Sequence, residues 1–247
     1  MTWRALEDEL KRWRDAGRTA ELWWRDDDAA TPSPSLKRLV ELSRTSRIPL
    51  ALAVIPLTAK DELFAGLRAT VLMHGTDHVN RAGQKEKKTE FAAAEPQDAA
   101  VARIQAARAR LERLAGDRFL PVLAPPWNRM RRDLVMRMPD CGLRGLSAYG
   151  ARRAQEPAPG VREVNTHVDI IDWHGTRAFV GEAAALGALL SHLSAKLRNQ
   201  ADAGEPTGVL THHAVHDAAS WSFIERLFER TRARGAHWAE ASALFPS

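Results

Sequence analysis

Short apolar runs alternate with longer stretches of helical periodicity along this chain. That alternation restricts it to folds in which a parallel sheet is connected by crossover helices. Residues Glu21–Arg25, Pro49–Ile55, Ala69–Met73, Phe119–Leu123 and Thr207–Thr211 read as strands, with Leu143–Leu146 and Val161–Ile171 as weaker candidates. Between them, helices are marked by Leu36, Leu39 and Val40; by Val101, Ile104, Leu111 and Leu114; by Leu186, Leu189, Leu190, Leu193 and Leu197; and by Trp221, Ile224, Leu227 and Phe228. Thr58 and Asp61 have the spacing of a capping box opening a short helix. Trp3, Leu6, Leu10 and Trp13 make residues 1–18 an amphipathic opening helix. Arg81–Glu95 and Ala148–Gly160 are expected as long loops. With 247 residues, no internal repeat and no linker, residues 1–247 read as a single α/β domain, of a length at which (β/α) barrels commonly occur as one domain.

The unusual polar clusters all sit where strands end: Asp26-Asp27-Asp28, His74 to His78, Pro125 to Asn128, and His212-His213. In a parallel barrel the C-terminal strand ends form one face, and active sites are built there. Clusters far apart in sequence are therefore expected to converge.

Composition narrows the class. Hydrophobic residues make up 45% and charged residues 27%, which is globular rather than disordered. The single cysteine, Cys141, excludes an internal disulfide. The opening residues are too charged for a signal peptide, and no run has the length of a membrane span, so the sequence points to a cytoplasmic protein without a membrane partner. A net charge of +5 raises nucleic acid as a partner, but Arg103, Arg108, Arg110 and Arg113 are spread along a helix without interleaved aromatics. Solvated helix faces account for that charge, and no nucleic-acid partner is expected. Arg81, Lys85, Lys87 and Lys88 read as a solvated surface loop before a lid.

Two histidines four apart, His74 and His78, can share a first-row metal ion, and a carboxylate from another strand end completes three ligands with an open position for water. A neighbouring carboxylate that does not ligate can then serve as general base. Three adjacent carboxylates repel one another unless water or a cation compensates.

On these residues the chain resembles the polysaccharide deacetylases, carbohydrate esterase family four, whose five short motifs lie on a distorted parallel (β/α) barrel. Trp24-Arg25-Asp26-Asp27 is similar to the first motif; by position Asp26 is the base and Asp27 the metal ligand. Asp28 stands where the family usually has glycine, which leaves an assignment shifted by one residue open. His74, Thr76 and His78 match the second motif. Ala124-Pro125-Pro126-Trp127 is similar to the third, with Ala124 in place of the arginine that braces the catalytic aspartate; Arg25 and Arg129 are candidates to replace it. Asp169-Ile170-Ile171-Asp172-Trp173 resembles the fourth, and Leu210-Thr211-His212 the fifth.

The resemblance implies hydrolysis of an acetamide with one divalent ion, zinc first among zinc, cobalt, nickel, manganese and iron, held by Asp27, His74 and His78. Asp26 would take a proton from water, His212 would protonate the departing amine, and Asp169 would orient His212. Asp28 and His213 are the alternative catalytic residues. Pro126, Trp127 and Trp173 would line the substrate, with aromatic faces matching the C–H surface of a sugar. The implied substrate is a small or oligomeric N-acetylated saccharide or glycoconjugate. A non-sugar amide and a catalytically idle carbohydrate-binding barrel, the latter favoured by Ala124, are the alternatives. An exposed aromatic face on the first helix would support a homodimer.

Overall fold

The computed structural model describes residues 1–245. Nine strands form one parallel sheet: β1 (Glu21–Ala29), β2 (Ala51–Val54), β3 (Thr70–His74), β4 (Phe119–Ala124), β5 (Gly145–Leu146), β6 (Arg162–Glu163), β7 (Val168–Asp169), β8 (Thr207–Thr211) and β9 (His237–Trp238). Their order is β6-β5-β4-β3-β2-β1-β8-β7, with β9 beside the start of β1. The sheet curls into a distorted (β/α) barrel. Its two edges, β6 and β7, belong to one continuous stretch of chain, so the gap between them is crossed by the backbone itself rather than by strand pairing.

Helices α1 (Trp3–Asp15), α2 (Pro34–Ser46), α3 (Gln97–Ala115), α4 (Arg132–Val135), α5 (Glu182–Leu197), α6 (Ala218–Ala233) and α7 (Ala241–Leu244) complete the fold. Two apolar layers result. The larger lies between sheet and helices and includes Leu22, Trp24, Leu39, Ile104 and Ile224; the smaller fills the barrel and includes Trp23, Ala53, Leu72, Val122, Ala124 and Phe245. Successive residues of β1 alternate between them, as the two-residue period of a strand requires.

Some expectations change. The acidic run does not end β1 but lies within it, with Ala29 the last residue of the strand. The short helix after β2 is a 3₁₀ turn, Asp61–Phe64, preceded by Lys60 rather than capped by Thr58. The stretch 161–171 contains two dipeptide strands because most of its backbone crosses the barrel gap. Trp3 and Trp13 of α1 are buried within the chain, so this helix offers no exposed aromatic face to a second copy. Among the described residues, no helix is long and apolar enough to cross a membrane.

Candidate metal centre

The three aspartates of β1 go to three different places, and strand geometry decides which. Arg25 and Asp27 share the barrel side, while Trp24 and Asp26 share the helix side. Asp26, fully buried, accepts hydrogen bonds from Thr211 Oγ1 (2.6 Å) and from the backbone N–H (2.9 Å) and Nδ1 (2.5 Å) of His213. Burial opposes a charge on His213, but Asp26 beside it lifts that imidazole above the usual histidine range. Asp26 is thus directed away from the barrel mouth, and His213 is its partner.

Asp27 faces Arg25. The guanidinium grips it in two-pronged fashion, Nε to Oδ1 at 2.8 Å and Nη2 to Oδ2 at 3.0 Å. Arg25 is itself wholly buried and also donates to the Ser147 carbonyl (2.7 Å), Ser147 Oγ (2.6 Å) and Asn128 Oδ1 (3.2 Å). Four acceptors around one fixed fork suit arginine and not lysine. Of the two candidates to replace the arginine missing at Ala124, Arg25 contacts the aspartate; Arg129 is exposed and donates instead to the Lys88 carbonyl.

At Asp28 the strand bulges. The β1–β2 register slips between Asp26 and Ala29, and Asp28 adopts φ 70°. Such a bulge re-aims a side chain, and here it turns Asp28 toward β3. Its Oδ1 lies 3.0 Å from His74 Nε2 and 3.2 Å from His78 Nε2. The residues that converge are therefore Asp28, His74 and His78. The expected Asp27 is displaced by one residue because the strand continues through the acidic run.

This donor set fits a cation. His74 Nδ1 faces the Ala124 carbonyl at 3.0 Å; a carbonyl only accepts, so Nδ1 carries the proton and Nε2 presents a lone pair. Asp28 Oδ1 is buried and has no hydrogen-bond donor. Unprotonated donors facing one another repel unless a positive charge sits among them. Ligands about 2.0–2.1 Å from a tetrahedral ion stand roughly 3.3 Å apart, close to the separations seen.

A second group, His167, His192 and Glu205, also lies close together. It is near the opposite, N-terminal end of β8, where the Gly208 N–H donates to His167 Nδ1. His167 Nε2 must then hold the proton and point toward Glu205 Oε2, 3.5 Å away, which leaves no lone pair for a cation. This cluster is a buried polar contact.

Around the Asp28 centre, the His78 and Trp127 rings pack at a tilt of 51° with centroids 4.5 Å apart. Asp28, His78, Trp127 and Asn128 all have positive φ. Left-handed non-glycine residues cost about 1–3 kcal/mol each and gather at functional sites. Pro126 is buried against Gly75, where a Cβ would stand 2.5 Å from its Cδ; with φ 58°, that position admits only glycine. His212 and Trp173 pack edge to face at 4.6 Å. The Trp173 indole donates to Asp169 Oδ2 at 2.9 Å, and Asp169 Oδ1 stands 4.0 Å from His212 Nδ1. Burial pushes the Asp169 carboxyl up, and His212 Nδ1 is buried without a partner. Asp169 is expected from the sequence to orient His212; the two lie side by side, with histidine and carboxylate beyond hydrogen-bond distance.

Sequence reasoning missed Glu90. It lies fully buried in the Arg81–Glu95 loop and accepts from the backbone of the His74–His78 segment. Its neighbour Phe91, in an otherwise polar stretch, is the only local sign of burial. Lys85, Lys87 and Lys88 are exposed, as expected of a solvated loop.

The curled parallel sheet carries a carboxylate and two imidazoles at its C-terminal strand ends. The solved structures that this fold is similar to include carbohydrate esterases of family 4 and peptidoglycan deacetylases. A T48 deacetylase solved with substrate matches with TM-score 0.58 and 15% identity over 92% of this chain and 94% of its own. A family 4 acetyl xylan esterase from Clostridium thermocellum, solved with cobalt, matches with TM-score 0.54 and 13% identity over 91% and 89%. A family 4 pseudoenzyme from Bacillus anthracis matches with TM-score 0.59 and 13% identity over 92% and 65%. No family model and no curated protein matches the sequence.

Proposed function

We propose that this chain is a divalent-metal-dependent deacetylase that hydrolyses the acetamide of an N-acetylated saccharide or glycoconjugate. The carrying observation is the juxtaposition of the donor set Asp28–His74–His78 with a carboxylate, Asp27, that is gripped by Arg25 and not aimed at the histidines. Asp27 Oδ2 is 3.9 Å from His74 Nδ1, the ring nitrogen already committed to Ala124.

Asp28, His74 and His78 would hold the ion. When bound, such an ion supplies Lewis acidity toward the acetyl carbonyl and toward water. Zinc suits the mixed imidazole and carboxylate set best, with cobalt, nickel, manganese and iron compatible. Asp27 would accept the proton of the attacking water, and Arg25 keeps it oriented. His212, across the mouth, would give a proton to the departing amine, with Asp169 behind its Nδ1. Trp127 and Trp173 would present faces to the sugar ring. Relative to the motif-based assignment, base and ligand each move one residue along, from Asp26 and Asp27 to Asp27 and Asp28. Arg25 also removes the main ground for an idle barrel, because a brace is present despite Ala124.

The test is metal analysis of the purified protein with an acetate-release screen over N-acetyl sugars and non-sugar acetamides. One equivalent of a first-row metal and release from a saccharide are expected. Release only from non-sugar amides would move the substrate class, and saccharide binding without release at full metal occupancy would establish a binder.

A further inference from the structure

We propose that Glu90 is a positioning residue for the metal centre, clamping the turn that carries His78; this rests on the metal reading above. The turn Gly75–His78 follows β3 and has no strand beside it. Buried backbone N–H groups need acceptors. Gly75 N–H finds the Ala124 carbonyl at 3.1 Å, but the Thr76 and His78 N–H groups have no backbone acceptor. Glu90 supplies both, Oε1 to Thr76 N at 2.7 Å and Oε2 to His78 N at 3.0 Å. Its Oε1 also accepts from Thr76 Oγ1 and, at 2.7 Å, from Arg103 Nη1.

The carboxylate has a counterion and four donors, three of them on the turn. Arg103, on α3, is anchored in turn by Glu95 at 2.8 Å and lies over the Phe91 ring. The turn is thereby tied to a long helix. Gly75 permits the close approach: a Cβ there would stand 2.2 Å from Glu90 Oε2. His78 itself sits at φ 58°, a conformation a histidine leaves readily unless its N–H is held. Released to negative φ, its ring would swing from the position in which Nε2 lies 3.2 Å from Asp28 Oδ1. Glu90 therefore acts on the ion through His78 and touches no reacting atom.

The experiment titrates the full-length apoprotein with cobalt(II), following its visible absorption, for wild type, Glu90→Gln, His78→Ala and the double variant. Glutamine keeps one oxygen for Thr76 and Arg103 but presents an amide N–H₂ to the His78 N–H. Support residues of metal ligands typically contribute 10–100-fold in affinity. Glu90→Gln is expected to weaken cobalt binding by that factor with unchanged far-UV circular dichroism, and to add nothing further in the His78→Ala background. Additive losses, or wild-type affinity in a merely less stable Glu90→Gln protein, would overturn the positioning role. Should the amide variant not fold, Glu90→Asp carries the same test: it keeps the charge opposite Arg103 but withdraws it by a methylene. Wild-type affinity in Glu90→Asp would reduce Glu90 to a counterion and overturn the inference. A wild-type apoprotein that takes up no cobalt would overturn the metal reading and this inference with it.

Discussion

Replacing Arg25 with methionine removes the grip on Asp27 while keeping a side chain of similar length in the barrel. Both partners of the ion pair are essentially inaccessible, Arg25 at 0% and Asp27 at 2% exposure. At the observed N–O separations of 2.8 and 3.0 Å, the pair is worth about 5 kcal/mol of Coulomb attraction at an effective dielectric of ~20. Removing one partner strands a buried charge, which costs about 3–5 kcal/mol of stability. For a chain of this length that lowers the melting temperature by roughly 6–20 °C. Acetate release should fall about 10²–10⁴-fold, the range of a positioned general base, with metal content retained because Asp28, His74 and His78 are untouched. Arg25→Lys should recover little, since an ammonium cannot meet both Asp27 oxygens together with Ser147 and Asn128. Arg25→Met combined with Asp27→Leu should recover most of the stability and none of the turnover, because no charge is then left unpaired. Urea denaturation and acetate release at saturating metal separate the two effects. A stability loss below about 1 kcal/mol with unchanged turnover in Arg25→Met would refute the assignment of Arg25 as the brace and of Asp27 as the base.

The other predictions concern the remaining charged groups. Asp28→Ala, His74→Ala and His78→Ala should each yield protein that purifies without metal and takes up cobalt only weakly at excess, with the fold largely kept, read by metal analysis and circular dichroism; full occupancy in any of them would remove that residue from the donor set. Asp27→Asn should keep the metal and lose turnover, whereas Asp26→Asn should cost about 1–3 kcal/mol of stability through its contacts with His213 and Thr211 and leave the metal in place; loss of metal from Asp27→Asn, with turnover abolished in Asp26→Asn at full metal occupancy, would restore the unshifted register. Burial pushes His192 down to about 2 and His216 to about 4. The unfolded chain, with ordinary histidines, binds more protons below about pH 6.5, so stability is complete above that pH and falls as the solution is acidified, by about 1.4 kcal/mol per pH unit for each such histidine. His192→Asn should remove one proton's share of that slope between about pH 4 and 6, measured by urea midpoints; an unchanged slope would mean that His192 is charged in the folded protein.

Much of the fold was legible because strand and helix periods differ and because the polar clusters marked strand ends. The centre was legible only to within one residue. Ending β1 at Arg25 follows from charge, since three consecutive carboxylates read as a solvated loop. What keeps them in a strand is tertiary: Asp26 has His213, Asp27 has Arg25, and Asp28 has the two facing imidazoles. Apart from Arg25, two residues from Asp27, these partners lie 46 to 187 residues away, and no local pattern announces them. Yet the alternation Trp23, Arg25, Asp27 against Trp24, Asp26 was present in the sequence. Carried through the acidic run, it places Arg25 beside Asp27 and sends Asp26 outward; only the bulge that turns Asp28 inward lies beyond it. The short elements β9 and α7 were hidden for another reason, having too few residues to show a period.

The relocated arginine ties these points together. In the resembling family the brace comes from the strand after the histidine motif, where this chain has Ala124, packed in the barrel interior against Trp23 and Val122. Here the guanidinium enters from β1, two residues before the carboxylate it holds, and reaches across to Ser147 and Asn128. An arginine at 124 and an arginine at 25 would compete for one carboxylate in one dry interior, and two buried cations against one anion leave a charge unpaired. Ala124 is therefore the complement of Arg25 and not a defect. The double exchange Arg25→Ala with Ala124→Arg should regain part of the turnover lost in Arg25→Ala, while Ala124→Arg alone should destabilise the protein. Greater stability and turnover in Ala124→Arg alone would show that the Asp27 carboxylate has room for a second guanidinium, and the complementarity would fall.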